Sequence, residues 1–121
     1  MSHTILVVDD EADVRKFLTA VLEKNGYRVV AAEDGKQAFD AVENECPDLI
    51  VLDLQMPAQT GTDFYRRLLK HDALRDIPII VVSGLAGRHL AVSSPFAVFD
   101  KPIKPDEFLA SVERALGESD D

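Results

Sequence analysis

Only one cysteine, Cys46, occurs in the 121 residues. That excludes an internal disulfide and suits a reducing compartment, so a cytoplasmic location is expected. Long hydrophobic runs are missing too, and with them any expectation of a transmembrane helix. The start, Met1-Ser2-His3-Thr4, has no basic segment leading into an apolar stretch, so no secretory signal is expected. Positive charge is scarce: 22 acidic residues against 13 basic ones give 22 − 13, a formal charge of −9. A nucleic-acid reader needs a basic face to meet phosphate, so direct nucleic-acid binding is not expected. The three histidines, His3, His71 and His89, are scattered and join no cysteine cluster, which leaves zinc without support. There is no repeat, no low-complexity segment and no Ser/Gly linker. The chain therefore reads as one domain over 1–121, with a core over about 4–117 and a frayed acidic tail at 118–121.

What is present is 46% hydrophobic and 29% charged residues, the composition of a globular domain. Five short apolar runs stand out: Ile5–Val8, Arg28–Ala32, Leu49–Leu52, Ile77–Val82 and Phe96–Phe99. Three are nearly all apolar, as strands buried on both faces of a helix-covered parallel sheet must be. Helical spacing lies between them. Val14, Phe17, Leu18, Val21 and Leu22 fall on one face, with Asn25-Gly26 as a stop. Ala38, Ala41 and Val42 repeat the pattern before Cys46-Pro47, where Cys46 reads as a small packed residue. Phe64, Leu68 and Leu69 mark a third helix, and Phe108, Leu109, Val112 and Leu116 the last, with Pro105 in its first turn. Strands alternating with helices give a doubly wound α/β fold with right-handed crossovers. In such sheets ligands bind beyond the carboxyl ends of the strands, near the point where strand order reverses.

Chemistry-bearing residues gather at those ends. The first strand runs into Asp9-Asp10, the third into Asp53, the fourth into Ser83 and the fifth into Lys101-Pro102. Singly, each has a plain reading. Asp9-Asp10 can cap the first helix, with Asp13 in its opening turn; Asp53 and Ser83 can be turn residues, and Lys101 a solvated loop lysine. Together they converge on one rim of the sheet. Three close carboxylates repel one another unless a cation sits among them. Oxygen-only ligands suit Mg²⁺, which accepts one or two carboxylates, waters and a phosphoryl oxygen. A hydroxyl and an ammonium supply what the remaining oxygens of a phosphoryl group need.

The runs Ile5-Leu6-Val7-Val8-Asp9-Asp10-Glu11, Asp53-Leu54-Gln55-Met56-Pro57 with Gly61, Val82-Ser83-Gly84, and Lys101-Pro102 occur in this order on the alternating pattern. In this the chain resembles, along essentially its whole length, the receiver domain of two-component response regulators, chemotaxis-regulator-like and flavodoxin-like in fold. The resemblance implies a five-stranded parallel sheet of order 2-1-3-4-5. It implies that Asp53 is the phosphoacceptor, taking a phosphoryl group from a phosphohistidine on a sensor histidine kinase or histidine phosphotransfer protein. Asp9, Asp10, Asp53 and the backbone carbonyl of Gln55 are then the ligands of Mg²⁺, for which Mn²⁺ can substitute. Ser83, Gly84 and Lys101 are then the phosphoryl-binding residues, and the Lys101-Pro102 bond is cis. Such a domain is a switch that promotes its own phosphorylation and dephosphorylation and controls a downstream protein partner, rather than a turnover enzyme.

Two features depart from the family pattern. Three positions before the lysine the family usually carries Tyr or Phe, whereas this chain has Val98, with Phe99 one step later on the opposite face. From Ser83 to Lys101 is 101 − 83 = 18 positions, several fewer than usual, so the fourth helix, between the fourth and fifth strands, is expected to be shortened or unwound. Both fall where receivers present their output surface. The expected switch region is therefore the Gly84–Pro95 segment, with Gly84 and Gly87, and the Val98–Phe99 pair. Two other readings stay open. A haloacid-dehalogenase-type hydrolase also uses a strand-end Asp and Mg²⁺, but wants Asp-x-Asp where this chain has Asp9-Asp10-Glu11. A scaffold with this fold that is never phosphorylated is the third reading.

Overall fold

The computed structural model describes residues 3–53, 60–71, 74, 76–83, 97–100 and 103–117. The most apolar runs become the inner strands β1 (Thr4–Val8), β3 (Leu49–Asp53) and β4 (Ile79–Ser83). Ile5 to Val8, Leu49 to Leu52 and Ile79 to Val82 are all buried, the outcome for β-branched residues with helices on both sides. The flanking strands are β2 (Arg28–Ala32) and β5 (Ala97–Asp100), and every pairing is parallel. The sheet order is β2-β1-β3-β4-β5, the order the family resemblance implies.

Helices α1 (Ala12–Lys24) and α4 (Pro105–Ala115) cover one face, where Leu18, Leu22, Phe108 and Val112 pack on Ile5, Val7, Val51 and Val82. Helices α2 (Gly35–Glu45) and α3 (Thr60–Leu69) cover the other, where Phe39, Val42, Phe64 and Leu68 pack on Leu6, Val8, Leu52 and Val81. Among the described residues, no helix is long and apolar enough to cross a membrane.

Local chemistry sets the boundaries. The Asp34 carboxylate accepts from the Gln37 N–H at 2.8 Å and so starts α2. Gly26, at φ +93°, lets the chain leave α1, and Pro105 opens α4. The fourth strand begins at Ile79 rather than Ile77. Pro78 has no N–H for the ladder, although its carbonyl accepts from the Ile50 N–H at 3.0 Å, and the Ile77 N–H turns back to the Leu74 carbonyl. Three expectations about single residues are corrected. Leu69, grouped with Phe64 and Leu68 in the third apolar stripe, is exposed at the end of α3 while those two are buried. Phe17 is 41% exposed, because α1 buries the arc centred on Leu18 and Leu22 and leaves Phe17 beyond its edge. Cys46 is exposed rather than packed, because it is the left-handed residue (φ 47°) at which the chain leaves α2 before Pro47.

In β5, Val98 is in register with Val81 and Phe99 with Val82. Phe99 packs on the α1/α4 side, edge-on to Phe108 with ring centroids 6.0 Å apart. The shortened fourth helix expected within Gly84–Pro95 and the acidic tail at 118–121 lie outside the described residues.

Candidate acidic phosphoryl and metal site

Register brings the acidic residues together. Val8 of β1 stands opposite Leu52 of β3, so the next residues, Asp9 just beyond β1 and Asp53 at the end of β3, come side by side at the carboxyl end of the sheet. Here the connection leaving β1 runs to β2 on one side and the connection leaving β3 runs to β4 on the other, so the gap between β1 and β3 is the switch point of the topology. Asp9 and Asp53 are fully buried, and Asp10 is exposed. One carboxylate oxygen from each of the three lies within 4.8 Å of the others. Three hard oxygen donors at that spacing, two of them on buried residues, fit a small divalent cation with oxygen preference.

The turn after β1 is tied down tightly. The Asp9 N–H donates to the Ala32 carbonyl at 3.1 Å, and its Oδ1 accepts from the Glu11 N–H at 2.9 Å. Asp9 thus braces its own turn rather than capping α1: Glu11 occupies the cap position, with no side-chain cap bond. Asp13 does lie in the first turn of α1, as expected for a helix N-terminus. The Arg15 Nη1 donates to the Asp9 carbonyl oxygen at 2.7 Å. The sequence pattern assigns Arg15 no role, because its partner is a backbone carbonyl and no side-chain pairing signals it.

Ser83 ends β4 in register with Asp100, at the same end of the sheet as Asp53, whose own partner is Val82. Gln55, Gly84, Gly87 and Lys101 lie outside the described residues.

The sequence profile of the response regulator receiver domain matches residues 5–113. Protein Rrf1 of Nitratidesulfovibrio vulgaris is 34% identical over 116 residues, covering 96% of this chain and 84% of that protein. The phosphate regulon transcriptional regulatory protein PhoB of Escherichia coli is 33% identical over 120 residues, covering 96% of this chain and 52% of PhoB. The chain therefore spans about half the length of relatives such as PhoB. Among solved structures, the receiver domain of a signal transduction histidine kinase from Syntrophus aciditrophicus superposes with a TM-score of 0.86 at 28% identity, covering 98% of this chain and 92% of that one. Chemotaxis protein CheY4 of Vibrio cholerae gives 0.86 at 26% identity, covering 96% and 100%. The fold is thus shared with receiver domains of known structure, and the chain belongs to the response regulator receiver domains of two-component signalling.

Proposed function

We propose that Asp53 is the phosphoacceptor and that its donor is a phosphohistidine on a sensor histidine kinase or histidine phosphotransfer protein. An Asp53 carboxylate oxygen attacks phosphorus and the P–N bond breaks. The electron pair returns to the ring nitrogen, and a proton on the other nitrogen lets the ring leave as neutral imidazole. The product is an acyl phosphate on Asp53. Receiver domains are phosphoacceptor switches rather than turnover enzymes; that this one promotes both its own phosphorylation and its own dephosphorylation is part of the proposal.

Little covalent work falls to the protein in such a transfer, so positioning and charge neutralisation carry it. Asp9, Asp10, Asp53 and the Gln55 carbonyl would hold Mg²⁺, or Mn²⁺ in its place; bound there, the ion offsets the charge of the phosphoryl oxygens. Ser83 would donate its hydroxyl to one phosphoryl oxygen and Lys101 would pair with another, while Gly84 leaves the group room. The observation that carries this reading is the convergence of three carboxylate oxygens within 4.8 Å at the end of β3. Two buried carboxylates beside a third are costly to keep unless their charge is used.

The acyl phosphate would control binding of a downstream protein from the cytoplasm, with residues 1–121 acting as one receiver unit. A net charge of −9 offers phosphate no basic face, so direct nucleic-acid contact by this segment is not part of the proposal. Signalling would run through Gly84–Pro95 rather than through an aromatic at position 98. The test is incubation with acetyl phosphate. One phosphate should be added in Mg²⁺ and none after chelation, and Asp53→Asn should abolish labelling. Undiminished labelling of that variant would sink the assignment.

A further inference from the structure

Arg15 lies six positions beyond Asp9, and its Nη1 donates to the Asp9 carbonyl oxygen at 2.7 Å. The phosphoryl transfer itself gives a guanidinium at this place nothing to do. From this bond we infer that Arg15 is a positioning residue for the acidic site, holding the turn that presents Asp9 and Asp10 to the cation. The inference rests on the reading that the three carboxylates bind Mg²⁺.

The carbonyl that Arg15 holds belongs to the peptide joining Asp9 to Asp10. A peptide is planar, so fixing its oxygen also fixes the direction in which the chain reaches Asp10. Asp9 is tied as well through its N–H to the Ala32 carbonyl and through Oδ1 to the Glu11 N–H. Asp10 stands exposed beyond the last ladder pair, Val8 with Ala32. The guanidinium bond therefore acts beside the Glu11 N–H to Asp9 Oδ1 bond, fixing the peptide that leads into Asp10 from the side of α1. Its own base is firm: the Arg15 N–H donates to the Glu11 carbonyl at 3.1 Å, opening α1, whose Leu18 and Leu22 are buried under the sheet.

Charge and position pull in opposite directions. A positive guanidinium near a cation site repels Mg²⁺, whereas the hydrogen bond pre-forms the ligand pair. Groups that orient metal ligands typically change affinity ten- to a hundredfold when removed. The field of a half-exposed side chain is instead weakened by solvent and salt. The positional effect should win, and the sign of the change reveals which one does.

The test is Mg²⁺ titration by calorimetry at fixed ionic strength, on the wild type and on Arg15→Met, Arg15→Lys and Lys16→Met. Arg15→Met should weaken Mg²⁺ binding about tenfold or more. Arg15→Lys should recover part of the loss, since an ammonium on a similar stem can donate to the same carbonyl. Lys16→Met removes an exposed charge one position on and should leave affinity within about twofold, as surface charge effects do. Metal-free melting temperatures should stay close to wild type, because Arg15 borders an open groove with Lys16, Thr19 and Ala31 rather than packing in the core. Binding by Arg15→Met that equals or exceeds wild type overturns the inference. Should that variant not fold, Arg15→Lys decides alone: weakened binding supports the inference and unchanged binding overturns it. A wild type that does not bind Mg²⁺ removes the reading of the acidic cluster instead, and the inference falls with it.

Discussion

Asp10 differs from Asp9 and Asp53 in being exposed, and that difference makes it the safest of the three to alter. Mg²⁺ that binds only the folded state adds about 2.7 kcal/mol at a hundred times its Kd. Asp10→Ala should lose most of that gain. Without metal it should melt at or above the wild-type temperature, because one of three mutually repelling carboxylates is gone. Thermal melts in chelator and in Mg²⁺ measure both effects; a Mg²⁺ response equal to wild type would mean Asp10 is not a ligand. The three aspartates stood out in the sequence because the Asp9-Asp10 pair and Asp53 directly follow apolar runs, and strand ends are where such sheets bind ligands. Arg15 did not, because its contact is with a carbonyl that every residue possesses. Cys46 departs from expectation for a related reason: it is the left-handed residue (φ 47°) that closes α2, a backbone role that a thiol does not announce.

Among the elements, the inner strands could be read from composition alone, since burial on both faces leaves no polar position to confuse the pattern. Helices are harder, because a stripe of five apolar residues spans more of the circumference than the sheet can cover. On α1, Phe17 stands about 120° round from the midpoint of Leu18 and Leu22 and ends up in solvent. Phe108 on α4 is fully buried and meets the Phe99 ring edge-on. These two phenylalanines should therefore respond very differently to truncation. Phe108→Ala should cost about 3–5 kcal/mol, through lost burial and the cavity left under α4. Phe17→Ala should change stability by no more than about 0.5 kcal/mol. Urea unfolding of both variants checks the pair, and comparable losses would show that the α1 surface is covered in solution. The fourth helix was deduced from a spacing of 101 − 83 positions, a count that bounds length but cannot assign conformation.

For the molecule as a whole, a charge change at the end of β3 must be read out somewhere on the surface. A ring in β5 that swings between two positions is one route, and the packing of this chain argues against it. Phe99 is in register with Val82 and lies against Phe108 under α4, so moving it would open the core on that face. Val98 is in register with Val81, and as a β-branched residue it has few rotamers to exchange. Another connection from Ser83 is the chain itself, which continues directly into Gly84–Pro95. If Ser83 is drawn toward the phosphoryl group, the residues bonded to it respond first, as a shift between existing populations. Hydrogen exchange with and without a stable phosphoryl mimic should therefore show its largest protection changes across Gly84–Pro95, with Val98 and Phe99 little altered. Changes centred on Val98–Phe99 with Gly84–Pro95 unaffected would mean that β5 carries the signal after all, and that the Phe99–Phe108 contact breaks on phosphorylation.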